Sequence, residues 1–167
     1  MPKSDQGVFS DRYQVIPRTL IFLTRGEQVL LLKGAPEKRL WANRYNGIGG
    51  HIERGEDVLT AAERELREET GLTASKLILC GTLIVDASDQ IGIAIYILKG
   101  EFVSGIIKSS PEGMPEWVPY SEIHNISLVE DLAVLLPRIL DLREEDPPFN
   151  ARSYYDEQDR LQIIIRN

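Results

Sequence analysis

Glu65, Glu68 and Glu69 recur at spacings of three and four residues, which puts their side chains on one face of a helix. Carboxylates crowded in this way raise one another's energy by repulsion, and burial adds a desolvation cost. A divalent cation relieves both. Mg²⁺ takes oxygen ligands, keeps several waters and bridges protein carboxylates to substrate phosphates. At about 100° per residue, Val58, Leu59, Ala62 and Leu66 share a narrow apolar arc; Glu69 falls inside it, Glu65 at its edge and Glu68 one step further round. The rival reading is an acidic surface helix laced by ion pairs, with Glu63–Arg67 well oriented and Arg64–Glu68 in the weaker order. A glycine-rich approach, Asn46-Gly47-Ile48-Gly49-Gly50, leads into the segment. Gly49 and Gly50 let the backbone come close to a ligand, and their carbonyls offer further oxygens.

These acids need a frame. The helix is expected to start near Glu56 or Asp57 and to end at Gly71. Ahead of it, 18–24 and 28–33 are apolar runs separated by Arg25-Gly26-Glu27, which predicts a hairpin; 34–45 reads as a surface loop. Behind it, 76–85 and 90–103 read as two long strands joined by a turn at Asp86-Ala87-Ser88-Asp89, with a short strand at 116–118. The leucines of 128–142 predict a second amphipathic helix, with a kink or early end at Pro137. A hairpin, 153–155 with 161–165, closes the chain. Residues 1–12 read as a loose tail and 13–167 as a single domain. This element order points to an α/β (α+β) fold, a mixed sheet with helices packed on it.

Composition narrows the function. With 43% hydrophobic and 27% charged residues the sequence is ordinary for a globular protein. A formal charge of −7 argues against a nucleic-acid polymer as partner, but not against a small phosphorylated ligand. No apolar run is long enough for a membrane helix, the N-terminus has no signal pattern, and the single Cys80 fits a reducing cytoplasm.

Gly50, five residues, Glu56, seven residues, then Arg64-Glu65-Leu66-Arg67-Glu68-Glu69-Thr70-Gly71-Leu72 resembles the Nudix box at every defined position. The resemblance implies a mixed β-sheet sandwiched between α-helices. It also implies hydrolysis of nucleoside diphosphates linked to another moiety, with Mg²⁺ or Mn²⁺. By the same resemblance Glu65, Glu68 and Glu69 are metal ligands, joined by the Gly49 or Gly50 carbonyl, and one glutamate helps deprotonate water. Arg64 holds a glutamate in place, with Glu56 as its candidate partner.

The flanks resemble the MutT-like and animal oxidised-purine nucleoside triphosphatases within that family. Lys33, Tyr45-Asn46-Gly47-Ile48-Gly49-Gly50, Glu116-Trp117-Val118-Pro119, Glu130-Asp131 and Thr19 carry the likeness, with Phe149 and Tyr154-Tyr155 adding to it. It implies that Asn46 hydrogen-bonds a purine, Trp117 lines the base pocket and the Glu130-Asp131 pair reads the base. An amide offers a donor and an acceptor, and a close acid pair sharing one proton does the same. Ala133 and Val134 depart from the pattern by standing where aromatics are expected. Stacking is then expected from Trp41, Tyr45, Phe102 or Trp117. Glu112 reads as a solvated loop acid or an extra base or metal ligand, and His51 and His124 as surface or structural residues. The expected activity is hydrolysis of a purine nucleoside triphosphate such as 8-oxo-dGTP to the monophosphate and pyrophosphate. The alternatives are the same chemistry on ADP-ribose or a dinucleoside polyphosphate, or a nucleotide-sensing domain without catalysis. Against the last, all the box carboxylates are present.

Overall fold

A computed structural model describes residues 2–37 and 39–166. Nine strands form one mixed sheet. They are β1 (Gln14–Arg25), β2 (Gln28–Gly34), β3 (Tyr45–Asn46), β4 (Leu72–Ala74), β5 (Ile78–Val85), β6 (Ile91–Gly105), β7 (Gly113–Pro119), β8 (Phe149–Tyr155) and β9 (Leu161–Arg166). Two α-helices, α1 (Val58–Thr70) and α2 (Glu130–Asp141), pack on it. The main strand order is β3-β2-β1-β6-β5-β8-β9, with β7 beside β2 and β4 beside β6. The pairs β1–β6 and β5–β8 are parallel and the others antiparallel.

The apolar runs of β1 and β2 are continuous because both faces of the sheet are covered. Ile21, Leu23, Leu30 and Leu98 pack with Ala62 and Leu66 of α1. Phe22, Leu31, Leu83 and Ile97 pack with Leu132, Leu135, Leu136 and Ile139 of α2. The mixed sheet between helices is the architecture expected from the sequence. The hairpin β1–β2 pairs only at its closed end, through Thr24↔Val29 and Arg25↔Gln28. Further along β1 the segment 48–51 takes over, with bridges Ile21↔Ile48 and Arg18↔His51.

Several expectations shift in detail. β4 was not foreseen; it is three residues long and its register slips at Thr73/Ala74. The short strand expected at 116–118 extends back to Gly113. Leu59, placed on the apolar arc of α1, is 48% exposed, because that helix buries Ala61, Ala62, Leu66, Glu69 and Thr70 instead. The stretch expected as a loose tail carries one 3₁₀ turn, Lys3–Gln6.

α2 neither ends nor breaks at Pro137. A proline has no N–H to give the carbonyl four residues back, but Leu132, Leu135, Leu136 and Ile139 are buried on both sides of it and hold the helix to the sheet. Lys99 of β6 secures the C-terminal end: Nζ donates to the carbonyls of Ile139 at 2.9 Å and Leu140 at 3.2 Å, and to that of Leu142. A cation at a helix C-terminus also complements the helix dipole. Lys99→Met will therefore lower stability by about 2–4 kcal/mol, from hydrogen bonds to a charged group worth roughly 1.5–3 kcal/mol and their loss at buried acceptors. Urea unfolding followed by circular dichroism measures it.

Candidate active site

α1 begins and ends on side-chain chemistry visible in the sequence. Asp57 Oδ1 accepts from the N–H groups of Leu59 and Thr60, both at 2.9 Å. Gly71, at φ 75°, ends the helix and donates to the Arg67 carbonyl at 3.0 Å. Between these caps Glu65 and Glu69 turn inward. Glu69 is only 7% exposed, and its Oε2 accepts from Gly49 N–H at 3.2 Å. Glu65 lies so close to Gly50 that a Cβ on that glycine would meet Glu65 Oε1 at 2.3 Å. Glu68 stays largely in solvent.

Arg64 ties these groups together. Its Nε and Nη2 donate to the two carboxylate oxygens of Glu56, at 2.7 and 2.9 Å. Nη1 donates to Glu65 at 2.8 Å and to Glu68 at 3.2 Å, and Nη2 also reaches the His51 carbonyl at 3.0 Å. The guanidinium, helped by the Glu53 backbone N–H, holds the Glu56 carboxyl down to about 2. The same contacts push Arg64 further above its ordinary value.

The approach segment reaches this helix because it lies directly on β1. A Cβ on Gly49 would meet the Thr19 carbonyl at 2.1 Å, and one on Gly47 would meet Leu20 and Phe22 at 2.8 Å. Thr19 N–H donates to the Gly50 carbonyl at 2.9 Å, which leaves that oxygen a second lone pair. Tyr45 then ties the segment to α2. Its N–H donates to Ser127 O at 2.8 Å, and its carbonyl accepts from Val129 N–H at 3.0 Å. Its hydroxyl donates to Glu116 at 2.6 Å; burial first, then that hydrogen bond, push the phenol up to about 12.

A cavity of about 900 Å³ opens between these elements. Of the residues singled out in the sequence, Thr19, Asn46, Gly50, Glu65, Glu68, Glu69 and Asp131 line it, as does Glu112 of the loop before β7. Thr19 Oγ1 is buried without a hydrogen-bond partner. Asp131, in the first turn of α2, is pushed above the ordinary aspartate value, chiefly by burial and less by neighbouring Glu130. Glu130 sits apart from the lining, at 3.8 Å from Arg44.

Two further residues expected to bind substrate, Trp117 and Lys33, also lie outside the cavity lining. Trp117 stands opposite Leu30 on the α1 side of the sheet. It packs edge-on against Phe102 at 5.7 Å, beneath the Arg25 guanidinium at 4.3 Å. Lys33 alternates with the cavity-lining Leu32 and carries its ammonium over the Tyr45 ring at 5.5 Å. Of the four aromatics considered for stacking, Trp41 alone lines the cavity; it is half-exposed, with φ 60°. Arg18, Arg39 and Arg44 also line it and were missed. Their only sequence signal is three arginines scattered through an acidic chain.

The donor set fits a hard divalent cation. Glu65, Glu68, Glu69 and the Gly50 carbonyl all offer oxygen donors, and the Glu65 carboxylate stands where a side chain on Gly50 would be. Among the described residues no three acidic, histidine or cysteine side chains are already gathered as a metal cluster. Arg64 Nη1 stands between two of the carboxylates. No helix among the described residues is long and apolar enough to cross a membrane. The Arg64–Glu56 pair also predicts a pH signature. A carboxyl held at about 2 contributes stability above its ordinary value of 4.5 and loses it as pH falls toward 2. Glu56→Gln will therefore melt below the wild type at pH 7, and the gap will close between about pH 4.5 and 2 in a calorimetric series.

The family model described as "NUDIX domain" matches residues 15–139. The mouse protein named oxidized purine nucleoside triphosphate hydrolase is 28% identical over 145 residues, 86% of this chain and 88% of the mouse one. The zebrafish protein of the same name is 30% identical over 111 residues, 63% of this chain and 70% of its own. Among solved structures, the MutT protein of Bacillus halodurans superposes with a TM-score of 0.77 at 22% identity, covering 90% of this chain and 97% of that one. With the motif, the sheet between two helices and the family match in agreement, the chain belongs to the Nudix hydrolase family.

Proposed function

We propose that this protein hydrolyses a purine nucleoside triphosphate, with an oxidised purine such as 8-oxo-dGTP as the favoured substrate, to the monophosphate and pyrophosphate. The observation that carries this reading is that Asn46 and Asp131 line the same cavity as Glu65, Glu68 and Glu69. One end suits a base and the other a cation-bound polyphosphate. The names of the mouse and zebrafish relatives favour the same substrate class.

Glu65, Glu68, Glu69 and the Gly50 carbonyl would hold Mg²⁺ or Mn²⁺. When bound, the ion supplies charge neutralisation for the phosphates and makes a water acidic enough to attack phosphorus. The chain's own part is positioning and proton transfer. Arg64 fixes Glu65 and Glu68 relative to the Glu56 anchor. One box carboxylate takes the proton of the attacking water, and Glu112 lines the cavity as a further acceptor. At the other end Asn46 spends its Oδ1 on Gly47 N–H at 2.8 Å and keeps its amide nitrogen for the base. Asp131, whose carboxyl burial pushes above the ordinary aspartate value, supplies the acceptor at this end.

Chromatographic separation of the nucleotide products, with Mg²⁺ and Mn²⁺, tests the reading, using 8-oxo-dGTP, the normal deoxynucleoside triphosphates, ADP-ribose and dinucleoside polyphosphates. Purine triphosphates are expected to lead; ADP-ribose leading would refute it. Glu69→Gln will fold normally and lose at least about 100-fold in kcat, whereas retained turnover removes Glu69 from the metal site. Asp131→Ala will reduce kcat/KM for purine triphosphates by about 10-fold or more, as expected for one lost base contact, with little change for pyrimidines. Equal losses on all bases would remove Asp131 from base reading.

A further inference from the structure

Arg18 and Thr19 stand side by side on β1, and both line the cavity. Like Thr19 Oγ1, Arg18 Nε is buried without a hydrogen-bond partner in the protein. A buried donor left unpaired carries its full desolvation cost and calls for an explanation. The strand register gives the direction of Arg18. It pairs in parallel with Ile95 of β6 and lies two residues from Leu20. Leu20 and Ile95 both line the cavity and pack against the α2 cluster. Arg18 therefore faces the Asp131 side, whereas Thr19 alternates toward the α1 side with Ile21.

The hydrogen-bonding character of that side can be counted. A guanidinium donates and never accepts. Asp131 is the acceptor. A 6-oxopurine offers an acceptor at O6, which an arginine N–H takes; N7 beside it accepts in the unmodified base and, once C8 is oxidised, carries a proton that a carboxylate such as Asp131 accepts. A 6-aminopurine puts an N6 donor against that guanidinium and leaves both unpaired. We propose that Arg18 is a specificity-determining residue that hydrogen-bonds the carbonyl edge of the bound base and selects 6-oxopurine over 6-aminopurine triphosphates. This rests on the nucleoside triphosphate reading given above.

The test is kcat/KM for dGTP, 8-oxo-dGTP, dITP and dATP with the wild type, Arg18→Met and Arg18→Lys, alongside thermal melts. Methionine keeps an apolar stem of similar length and removes every donor. The expected result is a wild-type preference for the three 6-oxopurines. Arg18→Met then lowers those three by about 10- to 100-fold and dATP by less than about 3-fold, the range that loss of one hydrogen bond from a charged donor gives. Arg18→Lys recovers part of the loss. A uniform loss on all four substrates, no loss, or a wild type that prefers dATP would overturn the role of Arg18 and leave the triphosphatase reading standing. A wild type that hydrolyses none of the four overturns both. If Arg18→Met does not fold, Arg18→Lys and Arg18→Gln carry the same comparison, with the ratio of dITP to dATP as the readout.

Discussion

Carboxylates crowded on a turn and a half of helix repel one another, and Arg64 is the group that makes their arrangement tenable. One guanidinium forks onto both oxygens of Glu56, reaches Glu65 and Glu68 with a third nitrogen, and holds the His51 carbonyl as well. A planar fork with five donors can do this, and a lysine ammonium cannot hold the same set in fixed directions. Glu56 belongs to the loop ahead of α1, so the fork fastens loop and helix to each other. Glu69 needs a different support because it is buried; Gly49 N–H supplies part of it. Each carboxylate is thus fixed by a hydrogen-bond partner, the kind of support that orients ligands in metal sites.

The second constraint is distance. A ligand with a polyphosphate at one end and a base at the other needs two sets of contacts at a fixed separation. The segment from Tyr45 to His51 sets it. At its far end Gly50 abuts Glu65; in its middle Gly47 and Gly49 lie against β1 with no room for side chains. At its near end Tyr45 exchanges backbone hydrogen bonds with 127–129, the stretch that opens α2. Asn46 and Asp131 are therefore joined through one residue's peptide groups. Lys99 secures the opposite end of α2. Asn46 and Asp131 thus stand on backbone that is hydrogen-bonded at both ends.

Legibility in the sequence followed periodicity. α1 could be read because it has an apolar arc, an Asp cap and a terminal glycine, and the arc even placed Glu69 inside. The two faces of β1 and β2 could not be told apart, since 20–23 and 29–32 are apolar on both. Hence nothing local showed that Trp117 would pack on the α1 side with Phe102, or that Lys33 would lie over Tyr45. β4 is too short for a pattern, and its pairing with β6 slips. Pro137 argued locally for a broken helix; burial of Leu132, Leu135, Leu136 and Ile139 on both sides of it carries the helix through, which is tertiary structure overriding a local rule.

Charge shows the same limit. The formal charge of −7 describes the far field, and screening confines that field to about 8 Å at physiological ionic strength. Inside the cavity the distribution is different. Arg18, Arg39 and Arg44 share its wall with Glu65, Glu68 and Glu69, so it has two poles instead of one sign. A free polyphosphate approaching the acidic pole meets repulsion, and one already carrying a divalent cation meets much less. An acidic pole of this kind favours an anion that already carries its cation over a free one. A guanidinium nitrogen buried without a partner is costly in the free protein, but it loses no further hydration when a ligand oxygen arrives. Its interaction is also stronger there than at the surface, because the local dielectric is lower. An acidic protein can in this way bind an anionic ligand without a basic surface.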